Sequence, residues 1–334
     1  MRACLAPASY KATFEAANPD ISLNLVRDST GTMAARILAE KDNPRADVIW
    51  RLSNLNLIQY EQLGMLVPYA PKELQEVKPP FLDTAVPPQW VGDDGYFAAI
   101  CFNTVEAKKK NLPEPTSWRD LANPVYKGQI VMPNPNASGT AFVMLSSWLQ
   151  LFGQTDGWKF IDGLNSNVAQ YSQSGSKPCE LAATGEYAIG LSFSSRSAEL
   201  KASGAPIDLI FPKEGAGWNL KGSAILKGTK NLAAAKQFMD WAISLEAMRL
   251  YSKNYAIISR EVPGIKPVPY HPVDVTNLLS KNDFQWAAKE HDQILKDWNT
   301  REGSSTKKNQ VILYGPYRLL SISMDMKARW SIGS

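Results

Sequence analysis

Gly128-Gln129-Ile130-Val131-Met132-Pro133-Asn134-Pro135-Asn136-Ala137-Ser138-Gly139-Thr140 decides how this chain folds. Gln129 to Met132 is a short apolar run of strand length. Pro133 to Gly139 is rich in residues that break regular structure. From Thr140 to Phe152 apolar residues recur at helical spacing. Strand, polar loop and helix in that order form the unit from which α/β folds are built. The unit recurs outward in both directions. Asp47 to Trp50 is a short strand followed by a helix from Asn54 to Leu63. Ala188 to Phe193 is a strand followed by a helix to about Ala202, and Ser223 to Leu226 precedes a helix from Ala233 to Ile243.

Between these units, Tyr10 to Ala17 reads as the end of a helix stopped by Asn18-Pro19. Ile21 to Arg27 alternates Ile21, Leu23 and Leu25 with polar neighbours and reads as a strand. Asp28-Ser29-Thr30-Gly31 is a turn opening a helix to about Lys41. Ala98 to Phe102 is an apolar strand, followed by two proline-punctuated helices between Asn103 and Tyr126. Trp158 to Leu164 reads as a helix, Tyr171 to Pro178 as a polar loop, Cys179 to Thr184 as a helix and Ile207 to Phe211 as a strand. Glu246 to Lys253 and Asn282 to Trp298 close the series as helices. The alternation predicts a mostly parallel sheet. Crossings near Phe102 and Gly222 predict two lobes: residues 103–222 inserted into a first lobe made of 1–102 and 223–300. Residues 301–334 form an atypical tail. A ligand is expected in the cleft, at strand C-termini and helix N-termini.

Composition narrows the function. Of 334 residues, 44% are hydrophobic and 20% charged, enough for a large packed core and against general disorder. Lys plus Arg is 36 and Asp plus Glu 32, a net of +4, too dilute for a nucleic-acid surface. The runs Lys108-Lys109-Lys110 and Lys307-Lys308 read as solvated ends. No stretch reaches the roughly 18 apolar residues of a membrane helix, and Met1 to Pro7 lacks the apolar core of a signal peptide. Cys4, Cys101 and Cys179 form no CxxC pair and read as buried thiols, with one disulfide left open. His271 and His291 have no spaced partner, so neither a metal site nor histidine-based catalysis is expected, and no cofactor is implied.

Four loops are rich in Ser, Thr, Gly and Asn: Asp28-Ser29-Thr30-Gly31, Asn134 to Thr140, Ser172 to Lys177, and Ser192-Phe193-Ser194-Ser195. At a helix start such loops offer hydroxyls and unpaired backbone N–H groups where the helix dipole is positive, a setting that favours anions. The ordinary alternative is that these residues are N-caps. The pair Ser138-Gly139-Thr140 and Ser174-Gly175-Ser176 within one lobe favours the anion reading. Five or six such donors suffice for micromolar capture without an arginine clamp, since a charge-assisted hydrogen bond contributes roughly 1.5–3 kcal/mol. Asp28 either faces a ligand cation or caps its helix. Trp50 either stacks beneath a ligand amine or belongs to the core. Arg196 and Trp218 are weaker cleft candidates.

At these loops the chain resembles the substrate-binding proteins of bacterial ABC importers. The residues that carry the resemblance are Val26 to Gly31, Gly128 to Pro135, Ala137 to Thr140 and Ser174 to Cys179. The branch is that for 2-aminoethylphosphonate, near the ferric-iron-binding branch, and the likeness spans about residues 10–300. It implies a type II periplasmic binding fold: two α/β lobes, a hinge and a cleft. It also implies a monomer in the periplasm that hands an aminophosphonate to a membrane permease. The phosphonate-binding positions fall on Ser138, Gly139, Thr140, Ser174 and Ser176. Ser29, Thr30, Gly175, Ser192 and Phe193 line the same loops, and Asp28 and Trp50 face the amine. Iron-binding relatives place adjacent tyrosines where this chain has Ser192-Phe193-Ser194-Ser195, so ferric iron is the second reading. Family members begin with a signal peptide and a first strand, which Met1 to Ser9 does not show, and 302–334 departs from the family's ending.

An enzyme is the rival class. Ser174-Gly175-Ser176-Lys177 matches the S-x-x-K pattern of penicillin-recognising serine hydrolases, with Ser174 as nucleophile and Lys177 as base. The companion motifs are missing: Lys227-Gly228-Thr229 has the wrong order, no G-x-S-x-G elbow occurs, and neither histidine is placed as a base. The chain reads as a binder, not an enzyme.

Overall fold

The computed structural model describes residues 7–272 and 274–304. Its elements run α1 (Pro7–Ala17), α2 (Thr30–Ala39), β1 (Val48–Ser53), α3 (Asn54–Gln62), β2 (Leu66–Val67), β3 (Val91–Asn103), α4 (Thr104–Lys110), β4 (Ile130–Pro133), α5 (Gly139–Phe152) and α6 (Gln154–Asn167). They continue β5 (Val168–Ser172), α7 (Lys177–Ala183), β6 (Ile189–Phe193), α8 (Ser194–Ala202), β7 (Ile207–Ile210), β8 (Trp218–Leu226), α9 (Leu232–Ala242), α10 (Leu245–Tyr251), β9 (Ile257–Ile258), α11 (Phe284–Lys289) and α12 (His291–Ser304).

β3 organises the molecule. All thirteen of its residues are buried, as expected of a strand covered on both faces. From Val91 to Phe97 it pairs with β8; from Ala98 to Asn103 it pairs with β6 and β7. One strand therefore serves two sheet halves. β1, β2, β8 and β9 lie on one side of the crossing, and β4, β5, β6 and β7 on the other.

The expected mostly parallel sheet is corrected. Only β4 with β5 and β4 with β6 are parallel among the described pairings; β1–β8, β2–β8 and every pairing of β3 are antiparallel. The chain leaves one half on β3 and returns on β8 beside it, and a return strand next to an outgoing one must run backwards.

A second correction concerns Ile21 to Arg27, which is not a strand. The groups a ladder would pair are met by α1 instead: Lys11 Nζ donates to the Leu23 carbonyl at 2.6 Å, and Leu23 N donates to Glu15 Oε1 at 2.7 Å. Val26 is 62% exposed, so the alternation faces no sheet. The helix read over 282–298 is two, α11 and α12, which part at Glu290. The polar loop from Tyr171 begins inside β5.

Helices seal both faces. α5 buries Phe142, Met144, Leu145, Trp148 and Leu149, apolar around most of its circumference as a central helix must be. Trp148 meets Trp118 at 5.3 Å between ring centroids, and Trp118 Nε1 donates to the Gly215 carbonyl at 2.9 Å. α1 turns Tyr10 and Phe14, four residues apart, onto Trp50, Phe238, Trp241 and Tyr251.

Of the two readings of the cysteines, buried thiols or one disulfide, the disulfide is the one found. Cys101 on β3 and Cys179 on α7 form a disulfide with Cα atoms 5.5 Å apart, the ordinary span for such a bridge. Cys4, and the apolar run from Val311 to Ser323, lie outside the described residues.

Candidate functional site

Three of the four loops meet in space. Ser29 Oγ, at the N-cap of α2, donates to the Gln173 carbonyl at 3.2 Å. Gly31 N, in the first turn of α2, donates to the Ala137 carbonyl at 3.0 Å. Both contacts tie the start of α2 to the loops preceding α5 and α7. Glycine is required here: a Cβ on Gly31 would overlap the Asn136 carbonyl oxygen. One on Gly175 would stand 2.5 Å from Thr140 Oγ1 and 3.0 Å from Ser138 Oγ. Thr30 packs just as closely on Gly139, whose Cβ would lie 3.0 Å from it.

The fourth loop closes the ring. Ser192 has no exposed surface, and its Oγ donates to the Gly175 carbonyl at 2.7 Å. Ser174 Oγ and Ser176 Oγ are 2.9 Å apart, and Ser172 Oγ donates to the Ser174 carbonyl at 2.8 Å. Several hydroxyls expected to face a ligand are thus spent on loop carbonyls in this structure. Those of Ser138 and Thr140 are placed differently. Ser138 is the N-cap of the fourteen-residue α5, yet its side chain makes no cap hydrogen bond. The first N–H groups of α5, at Gly139 and Thr140, have no intrahelical acceptor, and the helix dipole is positive there.

One anticipated residue lies elsewhere. Trp50 does not join the loops. Its Nε1 donates to Tyr251 Oη at 3.0 Å, and its ring sits edge-on to Tyr10 at 5.4 Å and Phe238 at 5.5 Å, within the aromatic core. Asp28 is exposed, and its Oδ1 accepts the Ser29 N–H at 2.7 Å. Arg196 is paired with Glu180 of α7 and Glu199 of α8. Trp218 Nε1 donates to the Ser280 carbonyl and its ring meets Phe284 at 4.9 Å, so it serves packing. Phe193 lies against Tyr96 with centroids 6.3 Å apart, which joins β6 to β3 across the crossing. Lys177 is half-exposed and 4.0 Å from Glu180, while Ser174 is bonded to Ser176. No contact joins the two as base and nucleophile.

Sequence reading missed a second constellation on the far side of Tyr96. Arg51 of β1 donates from Nε to Asp94 Oδ2 of β3 at 2.6 Å, and Lys221 Nζ of β8 lies 3.4 Å from Asp94 Oδ1. The guanidinium of Arg51 stands over the rings of Tyr255 at 4.6 Å and Tyr251 at 4.9 Å; the ammonium of Lys221 stands over Tyr255 at 4.0 Å and Tyr96 at 5.1 Å. Arg51 has φ 57°, left-handed backbone that costs a non-glycine residue about 1–3 kcal/mol. Burial pushes the Tyr255 phenol up, but Lys221 and Arg51 outweigh it and hold the group below its ordinary range. Burial lifts the Asp93 carboxyl well above the carboxylate range, and the neighbouring Asp94 adds to the lift. The register Ser53↔Lys221 and Asn219↔Tyr96 brings these residues together beside the point where β3 changes partners.

One strand, β3, thus runs through both sheet halves, and the loops at the starts of α2, α5 and α7 meet at the end of β6. The family model for bacterial extracellular solute-binding proteins matches residues 43–291. The chain belongs to this family. An uncharacterised protein of Haemophilus influenzae is 32% identical to this solute-binding protein over 287 residues, covering 84% of this chain and 82% of that one. A probable ABC transporter periplasmic-binding protein of Sinorhizobium fredii is 24% identical over 275 residues, covering 80% and 75%. The periplasmic binding protein AfuA from Actinobacillus pleuropneumoniae, solved with exogenous fructose-6-phosphate bound, superposes with a TM-score of 0.82 at 30% identity, covering 88% of this chain and 94% of that one. The fold is therefore the type II periplasmic binding fold, with an open mixed sheet.

Proposed function

We propose that this solute-binding protein serves an ABC importer from the periplasm and captures a small organic phosphorus oxyanion, a phosphonate or phosphate ester, through Ser138, Gly139, Thr140 and the 174–176 loop. The observation that carries the reading is the meeting of the α2 start, the α5 start and the 172–176 loop, with the Ser138 hydroxyl left uncommitted at the head of α5. The ester-bearing sugar held by AfuA at 30% identity supports the phosphorus end of the ligand. Residues before β3's crossing and the segment of β8 to α10 would form one lobe. The segment from Ala98 through β7 would form the other, and the permease would be the downstream partner. 2-Aminoethylphosphonate is the simplest ligand of this class and the one the sequence resemblance names. Ferric iron is the second chemistry. Among the described residues no three or more His, Cys, Asp and Glu side chains gather as a metal-binding group.

Isothermal titration of the full chain tests this. A phosphonate or phosphate monoester should bind 1:1. The double variant Ser138→Ala/Thr140→Ala loses two charge-assisted hydrogen bonds at roughly 1.5–3 kcal/mol each, so affinity should fall at least about 100-fold. Heat with ferric citrate, and none with any phosphorus oxyanion, would overturn the reading.

A further inference from the structure

The Arg51–Asp94–Lys221 constellation leaves one cationic donor without a partner, while Lys221 is shared between Asp94 and the Tyr255 phenol. Arg51 and Lys221 both pair with Asp94, while the other nearby acid, Asp93, is fully buried and engaged by Ser223 Oγ at 2.6 Å. Arg51 Nη2 is buried with no hydrogen-bond partner. Lys221 reaches Asp94 Oδ1 only at 3.4 Å, and that oxygen is left without a hydrogen bond. Neither cation is sealed: the side chains of Arg51 and Lys221 keep 15% and 20% of their surface. The surplus stands beside the crossing of β3, and Tyr96 links it to Phe193, the residue after Ser192 of the loop ring. Arg51 holds its place in left-handed backbone, as residues at binding sites often do.

We infer that Arg51 and Lys221 form a second subsite, which recognises an anionic group at the other end of the ligand. The inference rests on the phosphorus-oxyanion reading above and narrows its ligand class. The solute carries two negative ends, a phosphonate or phosphate at the 138–140 loop and a carboxylate or second oxyanion at Lys221. Two cations sharing one carboxylate in a mostly buried site are a strong discriminator: a ligand carboxylate supplies a further acceptor, and an ammonium meets like charge. The same surplus turns selectivity away from aminophosphonates. Trp50, which would have received an amine, is occupied in the aromatic core.

Three probes of one phosphorus group separate the cases: 3-phosphonopropionate, n-propylphosphonate and 2-aminoethylphosphonate, titrated calorimetrically into the full chain at low salt. The expected order is acid tightest and amine weakest, with at least about a tenfold gap between those two. Lys221→Gln should shrink the acid-to-alkyl affinity ratio to within about threefold, and Lys221→Arg should restore it. The ratio is an internal control for a variant that is merely less stable. Three probes that bind alike, an amine that binds tightest, or a ratio untouched by Lys221→Gln each overturn the inference while leaving the phosphorus reading standing. No binding of any probe sinks the phosphorus reading and this inference together.

Discussion

Asp93 has no exposed surface, and one of its oxygens, Oδ1, finds no hydrogen-bond partner. Burial raises its carboxyl well above the ordinary range. A raised acid contributes its full stability below the unfolded value of about 3.9 and loses it as pH rises toward the folded value. Asp93 therefore weakens the fold at pH 8 relative to an uncharged isostere that keeps the Ser223 bond. Asp93→Asn should melt about 2 °C or more above the parent at pH 8 by scanning calorimetry, and the gain should vanish near pH 4. A variant that is less stable at both pH values contradicts the assignment. The same scale shows what could be read without a structure. Ser138, Gly139, Thr140 and Ser174 to Ser176 were legible because each loop sits between an apolar run and a helix, a local pattern. Arg51, Asp94, Lys221 and Tyr255 were not. They come from three strands and a turn, and only the pairing register of β1, β3 and β8 brings them together. Trp50 misled because a tryptophan at a strand end looks the same whether it faces a cleft or Tyr251.

At the scale of elements, the Cys101–Cys179 bridge fastens α7 to β3, and so fastens the helix that follows the 174–176 loop to the central strand. The bridge closes a loop of 78 residues in sequence, for which chain-entropy reasoning gives about 4.5 kcal/mol and measured cases run about 2–4. Cys101→Ala/Cys179→Ala should lower the urea midpoint accordingly with the slope little changed, read by circular dichroism. An unchanged midpoint would mean that the sulfurs are not bridged in solution. Most helices and the strands β1, β4, β6 and β7 were legible, because periodicity and helix stops are local. Ile21 to Arg27 failed because alternation describes one edge of a ladder and says nothing of a partner. The parallel sheet failed for a related reason. Strand direction belongs to the path between elements, and β3 and β8 are crossings rather than members of a strand–helix–strand repeat.

For the whole molecule, ligand binding and stability are one equilibrium. A ligand held only by the native state at 100 times its Kd stabilises it by about 2.7 kcal/mol. A bound phosphorus oxyanion should therefore raise the melting temperature by roughly 4 °C or more. A calorimetric binder that left the melt unmoved would have to bind the unfolded chain as tightly as the folded one. α11 and α12 add a tie between the halves. Phe284 of α11 meets Trp218 of β8, while His291, Trp298 and Arg301 of α12 meet Phe142 of α5, Tyr171 of β5 and Asp162 of α6. β3 sets the terms of any motion between those halves. Because it is hydrogen-bonded to neighbours on either side of Phe97 and Ala98, a twist of a few dihedral angles there would leave the ladder bonds on both sides made, whereas the Ser29–Gln173 and Gly31–Ala137 bonds and the contacts of α12 would have to part. In such a motion the strand would act as a torsion bar and those bridging bonds as its latch.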